Sequence, residues 1–201
     1  MSRLVVVRHG RTAWNTAGRF QGQRDPALDG VGWAQTRRVA EAVVALAPAV
    51  VVSSDLRCAR QTARAVARRA GVPLVTDRRL REVALGRLEG LDRTEAARRY
   101  PGELDLWLTA SDARPAGGDT VVDAGARAAA AIESHVDARP GERPVVVVAH
   151  GIVLQAALGH LGVDAPHLPN GGWLEVASYD RRSAASIASE APCSSITSSS
   201  P

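Results

Sequence analysis

The sequence is organised around the stretch Leu4-Val5-Val6-Val7-Arg8-His9-Gly10, close to its amino terminus. This apolar, β-branched run is typical of a strand buried inside a parallel sheet, and it ends abruptly in Arg, His and Gly. A second run of the same form is Val145-Val146-Val147-Val148-Ala149-His150-Gly151. Because ligands of open α/β sheets bind at the carboxyl ends of the strands, the two runs predict one site that contains both His9 and His150.

Strand-like runs alternate with helical patterns along most of the chain. Three further strands are predicted, at residues 49–53, around 74–76 and at 173–179. Five helices are predicted. The first runs from 29–30 to about 46, and the second from a cap at Ser54 or Asp55 to Gly71. The third ends at about Tyr100, the fourth runs from Asp119 or Thr120 to about 138, and the fifth from 151 to about 161. Residues 15–29 are expected to form an ordered loop over the site. This alternation predicts a three-layer α/β/α sandwich around a mainly parallel sheet.

Length and composition indicate one domain. The 201 residues are 45% hydrophobic, and residues 1–180 are expected to form a single domain with a sizeable core. Residues 181–201 are rich in Ser and Ala, and we expect them to form a disordered tail. The 25 basic residues are all Arg, and the formal net charge is +4. They form no basic stripe interleaved with aromatic residues, which argues against a nucleic-acid partner.

The sequence indicates neither a metal site nor a membrane partner. Cys58 and Cys193 are far apart and lack the spacing of metal ligands, so no zinc site, disulfide framework or other cofactor is predicted. No apolar run approaches the roughly 20 residues that span a bilayer, and the first strand begins too early to leave room for a signal peptide. These features favour a cytoplasmic protein, and they leave a homodimer open.

Several ordered motifs resemble those of the histidine phosphatase superfamily, also called phosphoglycerate mutase-like. The resemblance covers about residues 3–179 and includes the fold. The motifs are Arg8-His9-Gly10 with Thr12 and Asn15, Gln21-Gly22, Ser53-Ser54-Asp55-Leu56, Glu82 with Leu85-Gly86 and Glu89-Gly90, Gly117-Gly118-Asp119-Thr120, and Ala149-His150-Gly151.

The resemblance implies phosphoryl transfer through a histidine nucleophile. His9, as a neutral imidazole, would attack phosphorus and form a phosphohistidine. Arg8 would clamp the phosphoryl oxygens, with His150 as a second donor when protonated. Glu82 is the expected general acid and then the base for water. The expected phosphate-binding residues are Arg8, Asn15, Gln21, Gly22, Arg57, His150 and Gly151.

One position departs from the family pattern. The family reads Ser-x-Leu-x-Arg-Ala where this chain has Cys58 in place of the Arg that completes the phosphate pocket. Arg57 lies one residue away, about 100° around a helix, and could replace that Arg only if the helix start is rotated or irregular. Reduced activity, a shifted substrate preference and compensation by another Arg all stay open.

The leading hypothesis is a metal-independent phosphatase for a small phosphorylated metabolite, such as a sugar or glyceryl phosphate. Candidates to line the pocket for the rest of the substrate are Arg24, Arg87, Arg114 and the loop 166–173. The alternatives are a cofactor-dependent mutase of the phosphoglycerate type and a degenerate member that only binds a phosphorylated ligand. Nothing in the sequence speaks for a phosphoprotein phosphatase.

Overall fold

The computed structural model describes residues 3–114 and 117–176. Their strands are β1 (Leu4–Arg8), β2 (Val50–Ser53), β3 (Leu74–Thr76), β4 (Val145–Ala149) and β5 (Trp173–Val176). The helices in this part of the chain are α1 (Ala13–Thr16), α2 (Gly30–Val44), α3 (Arg57–Ala70), α4 (Arg93–Arg99), α5 (Pro101–Thr109), α6 (Val121–Asp137) and α7 (Gly151–His160). Two short 3-10 helices, Arg78–Leu80 and Gly86–Leu88, lie between β3 and α4.

The strands form one mainly parallel sheet, as the sequence predicts. Their order is β3-β2-β4-β1-β5, and only β5, at one edge, runs antiparallel to its neighbour. Arg8 at the end of β1 pairs with Ala149 at the end of β4, and Ser53 at the end of β2 pairs with Val148. The chain therefore leaves β1, β2 and β4 at the same edge of the sheet.

The core consists of two apolar layers, one on each face of the sheet. Because side chains alternate along a strand, Val5 and Val7 of β1 pack toward α2 and α3, while Leu4 and Val6 pack toward α6 and α7. These four side chains are fully buried. Burial of each such side chain stabilises the fold by about 1.5–3 kcal/mol. The result is the predicted three-layer α/β/α arrangement.

The helix boundaries follow local capping chemistry at most ends. Asp29 caps α2 by accepting from the Gly32 N–H at 2.7 Å, and Thr120 caps α6 by accepting from the Asp123 N–H at 2.8 Å. At the end of α3, Gly71 adopts the left-handed conformation at φ +66°, which glycine reaches without steric cost. The caps at Asp29 and Thr120 and the stop at Gly71 match the prediction.

The start of α3 differs from the prediction of a cap at Ser54 or Asp55. The N-cap residue is Leu56, and no side chain caps this helix. The Ser54 hydroxyl instead accepts from the Leu56 N–H at 3.2 Å, which lies outside the helix. Asp55 forms a two-pronged ion pair with Arg81, with both N–O distances at 2.7 Å. The Ser54 hydroxyl also lies 2.9 Å from His150 Nε2, so both predicted caps have tertiary partners instead.

Two short helices were absent from the prediction. α1 interrupts the first part of the expected loop, and α5 extends the helical segment beyond Tyr100, with Pro101 at its first position. The last strand is described as far as Val176, so its predicted end at residue 179 and the tail 181–201 lie outside the described residues. None of the described helices is both long enough and apolar enough to cross a membrane.

Candidate active site

The predicted site lies at the carboxyl edge of the sheet, where His9 follows β1, Ser54 follows β2 and His150 follows β4. A cavity of about 160 Å³ opens at this edge. It is lined by Arg8, His9, Asn15, Arg19, Phe20, Gln21, Gly22, Arg24, Cys58, Glu82, Leu85, His150, Gly151, Ile152 and His167. The structure thus brings together most of the residues that the sequence nominates.

His9 has the hydrogen bonding of a nucleophilic imidazole. Its Nδ1 lies 2.7 Å from the carbonyl oxygen of Gly10, so Nδ1 carries the proton and Nε2 keeps its lone pair. Burial lowers the pKa of His9 to about 4, because the interior disfavours the charged form. The Arg8 guanidinium lowers this pKa further. At neutral pH, His9 therefore presents an unprotonated Nε2.

His150 lies beside His9 with its ring at a steep angle. The ring centroids are 5.1 Å apart and the planes are inclined at 62°. His150 Nε2 lies 2.9 Å from the Ser54 hydroxyl, which leaves Nδ1 to face a ligand. Burial, followed by the fields of His9 and Arg8, lowers the pKa of His150 well below its ordinary value. A dianionic phosphate in contact with the ring would favour its protonated form.

Arg8 has one buried hydrogen-bond donor that is not used within the described structure. Its Nη1 donates to the carbonyl oxygen of Leu168 at 2.7 Å and lies 2.9 Å from His167 Nε2. Its Nε is buried and has no hydrogen-bond partner in the described structure. Burial lowers the pKa of Arg8, but a guanidinium stays charged in proteins. Since an unpaired buried donor is costly, Nε is a binding group for an anion.

Gly151 permits the position of Arg8. A Cβ atom at residue 151 would lie 3.0 Å from the Arg8 Cζ and 3.1 Å from its Nε. Any larger residue at this position would therefore press on the guanidinium and require it to shift from its place against the first turn of α7. Because backbone N–H groups at a helix start attract anions, this packing places the cation and the helix terminus at one position.

Glu82 lies at the same helix terminus. Its Oε1 accepts from the N–H groups of Val83 at 3.0 Å and Val153 at 2.8 Å, and its Oε2 accepts from the Ile152 N–H at 3.1 Å. Burial raises the pKa of Glu82, while the three N–H groups and Arg8 act in the opposite direction. A carboxyl group with a raised pKa suits proton transfer near neutral pH.

Asn15 and Gln21 present donors to the cavity. The side-chain oxygens of both residues accept from Thr12: Asn15 Oδ1 accepts from its backbone N–H at 3.0 Å, and Gln21 Oε1 accepts from its hydroxyl at 3.2 Å. Their NH₂ groups are then available to a ligand. Gly22 follows with φ +50°, and a Cβ there would collide with Glu89 at 2.2 Å from its Oε1. Asn15, Gln21 and Gly22 all line the cavity.

The structure does not bring three nominated Arg residues to the cavity. Arg57 is exposed and is not a lining residue, so the start of α3 does not rotate it into the place of the missing Arg. Arg87 pairs with Glu103, and Arg114 pairs with Asp123. Arg24 does line the cavity, with its side chain 62% exposed and its Nε 3.3 Å from Glu89.

Cys58 occupies the wall where the family places its Arg. The residue is 2% exposed, and burial raises the pKa of the thiol to about 12. Among the described residues, the Arg side chains that line the cavity are Arg8, Arg19 and Arg24. Arg19 Nη1 already contacts Glu95 at 3.0 Å and the carbonyl oxygen of Gly90. Arg8 is therefore the deep cation of the site.

Several lining residues were missed in the sequence. The clearest is His167, which contacts Arg8 from the loop after α7. The loop 166–173 was nominated as a whole, but a single His among turn residues carries no motif that would identify it. The same loop also contacts the segment that carries His9, because Gly171 N–H donates to the carbonyl oxygens of Arg8 at 3.1 Å and His9 at 3.0 Å. The others are Arg19, Phe20 and Ile152.

A second, more open cavity adjoins the first. Its volume is about 420 Å³, and Arg24 lines both cavities. Its other lining residues are Trp14, Asp25, Pro26, Glu89 and Gly90. An indole face beside carboxylates and a guanidinium can contact a polar organic group.

The sequence and the fold identify the family. The sequence profile of the histidine phosphatase superfamily, branch 1, matches residues 4–182. The chain therefore belongs to the histidine phosphatase superfamily. Among its relatives is the glucosyl-3-phosphoglycerate phosphatase of Mycolicibacterium vanbaalenii, which is 37% identical over 192 residues, 89% of this chain and 85% of that protein.

Other relatives include members with a different name. The probable phosphoglycerate mutase GpmB of Yersinia enterocolitica is 33% identical over 172 residues, 83% of this chain and 78% of that protein. A solved structure of the mycobacterial glucosyl-3-phosphoglycerate phosphatase with VO₃ superposes with a TM-score of 0.80 at 34% identity, covering 87% of this chain and 92% of that one. The predictions of the family, the fold and a phosphatase-class hydrolase are confirmed.

Proposed function

We propose that this protein is a metal-independent phosphatase that hydrolyses a small phosphorylated sugar or glyceryl phosphate through a phosphohistidine on His9. The observation that carries the proposal is the state of His9: its Nδ1 is bound to Gly10, its Nε2 has a free lone pair, and it lies in a cavity with the unpartnered Nε of Arg8. The proposed nucleophile and the Arg8 guanidinium therefore line the same cavity.

In the first step, His9 Nε2 attacks phosphorus, and the bond from phosphorus to the leaving oxygen breaks. Glu82 gives its proton to that oxygen and becomes a carboxylate. The phosphoryl oxygens are held by Arg8 and by the NH₂ groups of Asn15 and Gln21. Because the transition state is loose and its charge is spread over these oxygens, positioning and electrostatic stabilisation supply most of the rate.

In the second step, the Glu82 carboxylate takes a proton from water while the water oxygen attacks phosphorus. The nitrogen–phosphorus bond breaks, phosphate leaves, and both residues return to their initial state. The hydrogen bond between His9 Nδ1 and Gly10 keeps the tautomer fixed throughout. His150 donates to the phosphoryl group once the substrate charge has protonated it.

The proposed substrate class rests on two supports. The relative from Mycolicibacterium vanbaalenii is a glucosyl-3-phosphoglycerate phosphatase by name. The second cavity provides a volume of about 420 Å³ for the organic part of a substrate, next to the phosphate site and connected to it through Arg24. Trp14 can stack on a sugar ring there, and Arg24 can pair with a carboxylate.

The test is hydrolysis of a panel of phosphorylated metabolites in excess chelator. We expect phosphate release from sugar and glyceryl phosphates, and we expect His9→Ala to abolish it with unchanged circular dichroism. His160→Ala is the matched control, because His160 lies at the end of α7 and is exposed. Full activity in His9→Ala would remove His9 from the mechanism. Activity that disappears in chelator would contradict metal independence.

The same panel distinguishes the alternatives. A mutase would move phosphate between the hydroxyls of a phosphoglycerate in the presence of a bisphosphate primer, with little release of inorganic phosphate. A binding protein would hold phosphorylated ligands without turnover, and Cys58 is the observation that favours this second candidate. The buried Glu82 argues against it, since ligand binding alone does not require a proton donor.

A further inference from the structure

Three metal-ligating side chains meet at the bottom of the active-site cavity. His9 comes from the segment after β1, Cys58 from the first turn of α3, and His150 from the start of α7. One ligand atom from each residue lies within 4.8 Å of the other two, and all three residues are buried. Cys58 stands where the family has an Arg, so this grouping follows from the departure of this chain from the family pattern.

The outer contacts of the two histidines match those of metal-bound imidazoles. Such rings almost always give their second nitrogen to a carbonyl, hydroxyl or carboxylate partner, which fixes the ring orientation. Here the carbonyl oxygen of Gly10 holds His9 at 2.7 Å, and the Ser54 hydroxyl holds His150 at 2.9 Å. The His9 nitrogen that faces the cavity is therefore Nε2, and the His150 nitrogen is Nδ1.

We propose that His9, Cys58 and His150 form a binding site for Zn²⁺, and that the bound ion inhibits the enzyme by occupying the phosphate site. Two imidazoles and one thiolate are the ligand types that zinc accepts, whereas Mg²⁺ and Ca²⁺ require oxygen ligands. The cavity supplies the fourth coordination position for a water molecule.

The geometry requires a small contraction. Tetrahedral bonds of about 2.0–2.3 Å place ligand atoms about 3.3–3.6 Å apart. From a limit of 4.8 Å, rotamer adjustments of about 1 Å bring the three atoms to this spacing. Cys58 gives up its thiol proton to the solvent when the sulfur–zinc bond forms. The new thiolate and the Glu82 carboxylate then offset the repulsion between the ion and Arg8.

The bound ion is expected to inhibit hydrolysis because it binds the proposed nucleophilic atom of His9. Zn²⁺ on His9 Nε2 occupies the lone pair that must attack phosphorus, and the ion fills the space that a phosphoryl group needs. The site is thus distinct in chemistry from the proposed hydrolysis, which uses no metal. Its occupancy is measurable without turnover, so the failure of one proposal is distinguishable from the failure of the other.

The experiment uses Co²⁺ as a spectroscopic probe on the full chain, reduced and freed of metal with chelator. We expect a thiolate-to-cobalt charge-transfer band that Zn²⁺ abolishes by displacement. Cys58→Ser should lose the band and weaken Zn²⁺ binding in equilibrium dialysis by more than about 100-fold, since even outer-shell losses cost about 10–100-fold. Cys193→Ser, which removes the other cysteine, is the matched control and should keep the band.

A second measurement needs no variant. Inorganic phosphate should displace Co²⁺ from the wild-type protein, and Zn²⁺ should inhibit aryl phosphate hydrolysis reversibly, with recovery on addition of chelator. A cobalt band that survives Cys58→Ser, or that is absent from the wild type, would overturn the site. Stimulation of hydrolysis by Zn²⁺, or no competition with phosphate, would overturn its inhibitory role. Hydrolysis in chelator without a cobalt band would leave the phosphatase proposal intact.

Discussion

The proposed mechanism predicts that the effect of Glu82→Gln depends on the leaving group of the substrate. An alkoxide leaves only with a proton, whereas an activated phenolate leaves without one. We expect Glu82→Gln to lower the rate of phosphoryl transfer from an alkyl phosphate by about 10²–10⁴-fold, the usual contribution of a general acid. This loss corresponds to about 2.7–5.4 kcal/mol of activation free energy. Phosphoryl transfer from an activated aryl phosphate should be nearly unchanged.

The effect of Glu82→Gln on the second step, the hydrolysis of the phosphohistidine, can be measured by transient kinetics. Without a carboxylate to activate water, the phosphohistidine of the variant should accumulate. Stopped-flow measurements with the aryl phosphate should therefore show a burst of phenolate close to one per active site, followed by slow turnover. Acid-labile phosphate should be recoverable on the protein during the burst. Equal losses for alkyl and aryl substrates, with no burst, would refute the assignment of Glu82 as acid and base.

The structural cost of this substitution is separable from the chemical one. In Glu82→Gln, the amide oxygen can replace Oε1 and accept from the same two N–H groups. The NH₂ group then replaces Oε2 and faces the Ile152 N–H, so this N–H loses its acceptor, which costs about 1–3 kcal/mol of stability. Asp92→Asn is the matched control, since Asp92 accepts from the Glu95 N–H at 2.8 Å and lines neither cavity. It should change both substrates by the same factor and show no burst.

Three further predictions follow from single contacts. Gly151→Ala should push Arg8 aside and lower kcat/KM for an aryl phosphate by about 10–100-fold, whereas Gly159→Ala in the same helix has open space and should stabilise the fold by about 0.5–1 kcal/mol. Equal kinetics for both variants would contradict the role of Gly151. Cys58→Arg should tighten competitive inhibition by inorganic phosphate, and a weaker inhibition constant would show that another group already fills this position. Denaturant unfolding should show stability lost as pH falls from about 7 to about 5, because His9 binds its proton more readily when unfolded, at an ordinary pKa of 6.5, than when folded, at a pKa of about 4. His150, whose pKa burial lowers well below its ordinary value, acts in the same direction. The His9→Asn variant should lose roughly 2 kcal/mol less free energy of unfolding over this range than the wild type. Glu82 acts in the opposite direction in both proteins. Identical pH profiles of the two proteins would contradict the buried neutral state of His9.

The sheet and its active-site edge could be predicted because their signals are local. The two apolar runs that end in His9 and His150 identify strands β1 and β4 without knowledge of any partner. Asp29 and Thr120 are caps whose side chains bond to their own helices. Ser54 has the same capping chemistry, but its hydroxyl contacts His150, a residue almost a hundred positions away. Sequence spacing contains no information on such a competitor.

The side chains around the phosphate site were predicted unevenly for the same reason. Motif residues such as Asn15 and Gln21 line the cavity, because the chain around them has the family's spacing. Arg87 and Arg114 were chosen by loop position alone, and acidic neighbours in the fold hold them elsewhere. His167 was missed because its contact with Arg8 depends on the path of a loop 159 residues further along the chain.

Cys58 links the proposed phosphatase activity with the proposed metal binding. An Arg at this position would add a second deep cation beside Arg8, which would strengthen phosphate binding and repel a metal ion. A thiol at the same position leaves a less cationic cavity with two neutral imidazoles and a soft ligand. The two proposals therefore predict opposite responses to one substitution. Cys58→Arg should tighten phosphate binding and abolish the cobalt band. A variant that bound phosphate more tightly and kept the cobalt band would contradict the view that anion and metal compete for one position.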